Sequence, residues 1–370
     1  MSPSCSLFGL CGGCHFQHIP YNEQIKFKQE IILSIFERLL DPKGCIREII
    51  PSYRSLGYRA RARLFIKQSK SEKKLAIGFY REGTRRIEPV ESCPVLVDEL
   101  NSFLKRLRNG IHAFEGSYSN ISNIKGIVIE CDLKNNLFAT FLLKRAEGEK
   151  SLFWDRFCRS LAAHSSSNGK RVHLFWQTNK ICFFKEKDLA PKGLFCHPST
   201  FFQGNIQQNR ILVEEVVSLV EKGGATEVVE FFCGSGNFSI PLARLGLTVT
   251  GIELDKQAIF QAKENAILND CAKKNTFLQM NLFDKRLELS RFKQCETVLL
   301  DPPRTGAKEL CTQIDTLMPR SIVYVSCDPM TLARDVVILK EKGYRLKLLQ
   351  PIDMFPQTFH IETIAVLEIM

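Results

Sequence analysis

From Glu227 to the C-terminus, short apolar, β-branched runs alternate with helical stretches. That alternation restricts the fold more than any other feature of the 370-residue chain. Strands are predicted at Glu227–Phe232, Leu247–Gly251, Thr276–Met280, Thr297–Leu300, Ser321–Val325, Leu346–Gln350 and Ile361–Ile369. Helices are predicted at Asn237–Leu245, Asp255–Leu268 (Asp255 as its N-cap), about Ala307–Leu317 and Thr331–Glu341. The pattern predicts an α/β fold, a doubly wound parallel sheet with helices on both faces. Right-handed crossovers then bring the loops at Gly234, Glu253, Asp301 and Cys327 to the carboxyl edge, where open sheets bind ligands.

Those loops carry chemistry. Cys233-Gly234-Ser235-Gly236-Asn237 can turn sharply and approach a ligand closely, and Glu253 ends the next strand, where an acidic residue binds ribose hydroxyls. The third glycine of a dinucleotide fingerprint is absent, because Phe238 and Ser239 follow Asn237, so a nucleoside cofactor without a pyrophosphate fits better. A second strand ends in Asp301-Pro302-Pro303-Arg304. Amino-methyltransferases have a similar Asp-Pro-Pro followed by an aromatic residue, and Arg304 replaces it. Cytosine-C5 enzymes acting on RNA typically place a cysteine after the proline, and none stands there. Cys327 ends a third strand and is a candidate nucleophile, although most cysteines taken singly are inert packing residues. Glu362 interrupts an apolar terminal strand, where burial would raise its pKa into the working range of a general base.

The N-terminal half differs in charge. Residues 1–195 hold 32 Lys and Arg against 19 Asp and Glu, a balance of +13, whereas residues 196–370 stand at −2. Arg59, Arg61 and Arg63 alternate along a predicted strand and would share one face, a row suited to phosphates. The whole segment is predicted as a basic α+β domain over 1–195. It opens with an amphipathic helix over Tyr21–Leu40 and continues with strands at Ala62–Lys67, Ala76–Tyr80, Ile127–Glu130 and Leu137–Leu143. The second domain spans 196–370, with the boundary near Lys192-Gly193 and a loop at 165–169. No stretch is long enough to span a bilayer and no signal peptide is present, which points to the cytosol and to reduced thiols. Cys5, Cys11 and Cys14, spaced C-x5-C-x2-C, with Cys93, could hold an iron–sulfur cluster or zinc; spacing does not separate the two.

Taken together, these residues resemble the S-adenosylmethionine-dependent RNA uracil-C5 methyltransferases. The motifs that carry the likeness are Phe-Phe-Gln-Gly-Asn (201–205), Phe-Cys-Gly-Ser-Gly-Asn-Phe (232–238), Asp-Pro-Pro-Arg-Thr-Gly (301–306), Val-Ser-Cys-Asp-Pro (325–329) and Asp-Met-Phe-Pro…His-Ile-Glu (353–362). The resemblance implies a class I, Rossmann-like catalytic domain. It implies that Gln203, Phe232, Gly234, Gly236, Asn237, Glu253, Asn281 and Asp301 line the cofactor and base pocket. It implies Cys327 as nucleophile, adding to C6 of a flipped-out uridine, and Glu362 as the base that removes the C5 proton. The cysteine pattern resembles that of the ribosomal-RNA branch, which implies a [4Fe–4S] cluster and 23S rRNA as the partner. Transfer RNA, a non-catalytic RNA-binding or assembly protein and, more distantly, an NAD oxidoreductase are the competing expectations. Asp328 stands where Asn is common, and Gln357 where His is frequent. The chain starts close to Cys5, so an N-terminal oligonucleotide-binding barrel found in some relatives is not expected, and nothing demands more than a monomer.

Overall fold

The computed structural model describes residues 1–37, 45–68, 75–113, 124–132, 136–144, 172–176, 182–184, 193–196, 200–284, 286–292 and 295–370. The loop expected at 165–169, Lys192 and the basic positions Lys70, Lys73 and Lys74 lie outside the described residues. Among the described residues no helix is long and apolar enough to cross a membrane.

Two compact units form, and they are not the two linear halves. The first comprises Met1–Pro20, Arg54–Cys182 and Phe202–Ile206; the second comprises Tyr21–Tyr53, Phe183–Phe201 and Gln207–Met370. In the first unit, strands β1 (Arg61–Gln68), β2 (Leu75–Tyr80), β3 (Ile87–Pro89), β4 (Ile124–Cys131), β5 (Leu137–Leu143) and β6 (Val172–Trp176) build a six-stranded sheet in the order β3-β2-β1-β4-β5-β6. The strands pair antiparallel except β5 with β6. Alternation sends Ala62, Leu64 and Ile66 inward. There they share a core with Ile127 and Ile129 and with Leu100, Phe103, Leu104 and Leu107 of the helix Asp98–Ala113, which the sequence reading had not placed.

Short strands β7 (Cys182–Phe184) and β8 (Leu194–Cys196) pair with each other. In the second unit, β9 (Glu227–Phe231), β10 (Thr248–Glu253), β11 (Asn275–Gln279), β12 (Thr297–Leu300), β13 (Ser321–Ser326), β14 (Tyr344–Ile352) and β15 (Glu362–Ile369) form one sheet ordered β11-β10-β9-β12-β13-β15-β14. The expected all-parallel sheet is corrected here to a mixed one, because β15 runs antiparallel to both β13 and β14. The loop from Ile352 to Glu362 is too short for the crossover that a parallel return requires, so the chain turns back on itself. The helix Ile206–Lys222 was also not foreseen.

The segment Tyr21–Tyr53 joins the second unit. Ile32 and Phe36 of the helix Tyr21–Glu37 enter a core with Val336 and Leu339 of the helix Pro329–Glu341. The following strand-like stretch runs along β14, with Arg47 N–H donating to the Leu349 carbonyl (2.9 Å) and Ile50 N–H to that of Pro351 (3.0 Å). This covers an edge that would otherwise present unpaired backbone. The helix also buries a charge: Lys28 Nζ lies 2.6 Å from Asp353 Oδ1, both side chains are fully buried, and Nζ also donates to the Phe355 carbonyl (3.1 Å). Burial lowers the Lys28 pKa, and the Asp353 carboxylate opposes that shift. Tyr21 donates to Asp353 Oδ2 (2.8 Å), and Gln24 and Gln357 exchange two hydrogen bonds of 3.0 and 3.1 Å.

Removing one partner of a buried ion pair strands the other charge and costs about 3–5 kcal/mol. Lys28→Met is therefore expected to lose about that much in urea unfolding, and Lys28→Met with Asp353→Leu to regain part of it. A single variant as stable as the parent would show that the pair does not hold the helix.

Candidate active site

The carboxyl edge of the second sheet gathers the residues that the loops supply. After β9 the chain reverses through Phe232, Gly234 and Gly236, all at positive φ (67°, 53° and 91°). A Cβ on Gly236 would come within 3.0 Å of Ile240 Cγ1. Glycine is therefore required there for both conformation and space. Gly234 N–H donates to Glu253 Oε2 (3.2 Å), while Glu253 Oε1 accepts from the N–H groups of Leu254 (2.7 Å) and Asp255 (3.0 Å). The backbone thus holds the carboxylate at the end of β10 beside the glycine turn. Asn237 exchanges reciprocal amide hydrogen bonds with Asn209 (3.0 and 3.1 Å), which fixes its side chain. Phe232 packs against Phe283 with ring centroids 5.7 Å apart, and exposed Asn281 uses Oδ1 to accept from Phe283 N–H (3.2 Å).

Asp301 ends β12 in a loop clamped from below. Buried Asp335 accepts at Oδ2 from Ala307 N–H (2.7 Å) and Tyr324 OH (2.7 Å), and at Oδ1 from Arg334 Nε (2.8 Å). Arg334 Nη2 in turn donates to the Thr305 carbonyl (2.9 Å). A Cβ on Gly306, at φ 75°, would lie 2.5 Å from both Arg334 Nη2 and Asp335 Oδ2. Neither Asp335 nor Tyr324 was singled out in the sequence; a carboxylate and a phenol within apolar helical and strand patterns were the available signal.

The reversed strand completes the site. Ser326, the last residue of β13, stands opposite Thr363, so the next residues outward are Cys327 and Glu362. Glu362 acts on the thiol: burial, then the charge of Glu362, then that of Asp301, push the Cys327 thiol up to about 12, while the Arg304 guanidinium pulls it down. Glu362 is buried, its Oε2 has no hydrogen-bond partner among the described residues, and burial followed by the Asp301 charge raises it to about 8. Asp301 rises to about 7 through burial and then Glu253. Glu230, which accepts from the Ser239 hydroxyl, rises to about 8, chiefly by burial, with Asp301 and Glu253 contributing. Arg304 Nη2 lies 3.0 Å from His360 Nε2, which links the Asp-Pro-Pro loop to the segment before Glu362. In the free protein, then, the thiol and the carboxyl are both held in protonated forms, one strand beyond Asp301.

Asp328 has a structural task. Its carboxylate Oδ1 accepts from Met330 N–H and Thr331 N–H (3.0 Å each), capping the helix that begins at Pro329. Asn caps as well as Asp. Gln357, at φ 68°, is fixed by Gln24.

The remaining sequence candidates belong to the first unit. Gln203 is buried there, with Oε1 lacking a partner among the described residues, in a stretch where Ala60 N–H donates to the Gly204 carbonyl (2.7 Å). Cys5, Cys11, Cys14 and Cys93 are partly buried free thiols. Burial is the main cause that lifts Cys14 to about 11, and the charges of Cys93, Cys11 and Cys5 add to it. Arg59 opposes the rise at Cys11 and Cys93. Four mutually interacting thiols with a nearby cation are the donor chemistry of a thiolate-bound centre. Among the described residues, however, no three His, Cys, Asp or Glu side chains are already grouped closely enough to hold an ion.

A family model described as tRNA (Uracil-5-)-methyltransferase matches residues 20–369. The 23S rRNA (uracil(1939)-C(5))-methyltransferase RlmD of Neisseria lactamica (strain 020-06) is 32% identical, over 100% of this chain and 82% of its own length. The enzyme of the same name from Marinomonas sp. (strain MWYL1) is 33% identical, over 100% and 81%. The crystal structure of Pyrococcus abyssi tRNA (uracil-54, C5)-methyltransferase in complex with S-adenosyl-L-homocysteine is similar with a TM-score of 0.74 and 26% identity, covering 97% of this chain and 86% of that one.

The raised carboxyl has a measurable sign. Glu362 binds a proton in the folded state up to about pH 8, whereas an unfolded glutamate releases it near its ordinary value of 4.5. Stability is therefore lost as pH rises between these values. Glu362→Gln should raise the Tm relative to the parent at pH 8 and change it little at pH 4.5. Equal Tm differences at both pH values would contradict a protonated, buried Glu362.

Proposed function

Because the chain belongs to the RNA uracil-C5 methyltransferase family, we propose that it transfers a methyl group from S-adenosylmethionine to C5 of a uridine in 23S ribosomal RNA. The carrying observation is the pairing of Cys327 with Glu362 across β13 and β15, beside Asp301 and the glycine turn. The full-length ribosomal-RNA relatives favour that substrate over transfer RNA.

The residues act in sequence. Cys327 releases its proton to solvent and its Sγ adds to C6 of the uracil, which makes C5 nucleophilic. S-adenosylmethionine, when bound, would supply the electrophilic methyl group, its S–CH3 bond breaking as C5 takes up the methyl and S-adenosylhomocysteine leaves. Glu362, once it has released its own proton to solvent, takes the C5 proton as a carboxylate, and the C6–S bond breaks as the C5=C6 double bond re-forms and Cys327 leaves as thiolate. Arg304 favours the thiolate against the surrounding acids. Glu253 is set to bind ribose hydroxyls, with Phe232, Gly234, Gly236, Asn237, Asn281 and Asp301 about the cofactor and base, and Gln203 as a further ligand-binding residue. The thiol cannot reach C6 in a stacked helix, so the uridine is taken from a loop or flipped.

Cys5, Cys11, Cys14 and Cys93 are proposed to hold a [4Fe–4S] cluster. The methyl transfer needs no electron, so the cluster serves to tie the short N-terminal segment to its unit. The protein is proposed to work as a cytoplasmic monomer.

Incubation with labelled S-adenosylmethionine and unmodified ribosomal and transfer RNA, followed by mapping, should place label at C5 of a 23S uridine. Cys327→Ala should lower transfer below detection, and Glu362→Gln should accumulate a covalent RNA adduct carrying the methyl group. Turnover by Cys327→Ala at the parent rate would sink the mechanism. After anaerobic purification, iron and sulfide should each approach four per chain and fall sharply in Cys14→Ser. Stoichiometric zinc without iron would overturn the cluster.

A further inference from the structure

The outer face of the first unit's sheet combines aromatic rings with cations in a way that the catalytic site does not use. Along β1, Ala62, Leu64 and Ile66 go to the core, so Arg63, Phe65 and Lys67 occupy the opposite face, where Arg63 and Lys67 are exposed. Phe65 stacks on Tyr80 of β2 with ring centroids 3.8 Å apart and planes 23° from parallel. The Arg63 guanidinium lies 5.5 Å from the Phe65 ring centre. The residues opposite Phe65 on both neighbouring strands are Gly78 and Gly126, which have no side chains to cover it. Tyr80 remains 39% exposed. Arg81 and Arg86 do not belong to this face: both approach Glu88 at 3.6 Å, and Glu88 stands opposite Phe79, which packs toward the core.

Tyr80 is also held in place. Its carbonyl accepts from Gly12 N–H (3.4 Å), Cys11 bridges to Arg81, and Glu82 N–H donates to the Leu10 carbonyl (3.0 Å). The segment carrying Cys11 and Cys14 is thus hydrogen-bonded to the strand end that presents Tyr80.

We propose that this face is a stacking platform for an unpaired base of the RNA substrate: Tyr80 and Phe65 meet the base, while Arg63 and Lys67 meet the flanking phosphates. It deepens the proposed function and rests on RNA being the substrate. Aromatic side chains with adjacent cations bind single strands because every base has a π-face and every nucleotide a phosphate. A partner protein would need a broader apolar surface than two rings, and the excess of positive charge complements a polyanion. The plain alternative is a diagonal aromatic pair that only stabilises the sheet.

The test is RNA binding by the full chain, by fluorescence anisotropy with a single-stranded, uridine-rich decamer and with unmodified ribosomal RNA. Tyr80→Ala is expected to weaken both Kd values about tenfold, and Tyr80→Trp to restore them. Arg63→Gln should reduce the slope of log K against log salt by about one. A sheet-stabilising pair predicts instead a lowered Tm with unchanged Kd; that result, or unchanged affinity in folded Tyr80→Ala and Arg63→Gln, overturns the proposal. Should Tyr80→Ala fail to fold, ultraviolet cross-linking of 5-iodouridine RNA to the parent decides it. Adducts on Phe65 or Tyr80 are expected, and adducts only elsewhere reject the platform. Because the readout is binding rather than turnover, a parent chain that methylates a different RNA would refute the ribosomal assignment without altering this result.

Discussion

The reversed final strand is the constraint on which the site depends. Parallel strands deliver their carboxyl ends to one edge, and only residues in the loops after them can meet there. Glu362 lies at the beginning of its strand, so a parallel β15 would place it at the opposite edge from Cys327. Running β15 antiparallel between β13 and β14 brings its first residue to the carboxyl edge, next to the thiol. That geometry needs the turn from Ile352 to Glu362 held at both ends. The buried Lys28–Asp353 pair anchors the start of the turn, Gln24 anchors Gln357, and Arg304 contacts His360 near its end.

Once assembled, the edge is crowded with acids. Glu230, Glu253, Asp301 and Glu362 sit close enough that each of the three with a raised pKa feels another. Burial is the leading cause in all three, so the carboxyl groups stay protonated to near-neutral or higher pH rather than repelling one another. Such a site accommodates a cationic cosubstrate well, since added positive charge lowers the cost of ionising the acids around it. It also makes Glu362 a stronger base than an exposed glutamate when it does ionise, as proton removal from C5 requires.

The order of elements in the catalytic unit was legible because strand and helix periods differ and the glycine turn, Asp301 and Cys327 each punctuate a strand end. What could not be read was direction and partnership over distance. Nothing local in Glu362–Ile369 distinguishes a parallel from an antiparallel strand, since that depends on the length of the preceding connection and on which neighbours are free. The helix Tyr21–Glu37 was legible as a helix, but its place in the second unit rests on Lys28 meeting a carboxylate 325 residues away. The same holds for Asp335, whose helical surroundings conceal a clamp on the loop after β12. In the first unit the alternating arginines were visible, yet Arg61 pairs with Glu130 at 3.1 Å, so only part of the row faces outward as free charge.

Asp328 shows how one residue can look catalytic in sequence and be architectural in space. It stands next to Cys327, where Asn is common, and adds a carboxylate to that position. Its carboxylate is instead occupied by two backbone N–H groups at the start of the Pro329–Glu341 helix, and Ser326 Oγ donates to its carbonyl (3.0 Å). A cap needs only a short side-chain acceptor, which Asp and Asn supply equally. The sequence difference therefore falls on a requirement that both residues meet, while burial first, and then Glu362, Asp301 and Arg304, bear on the Cys327 thiol. The helix start fixes where Cys327 sits; the neighbouring strand and loop fix what it can do.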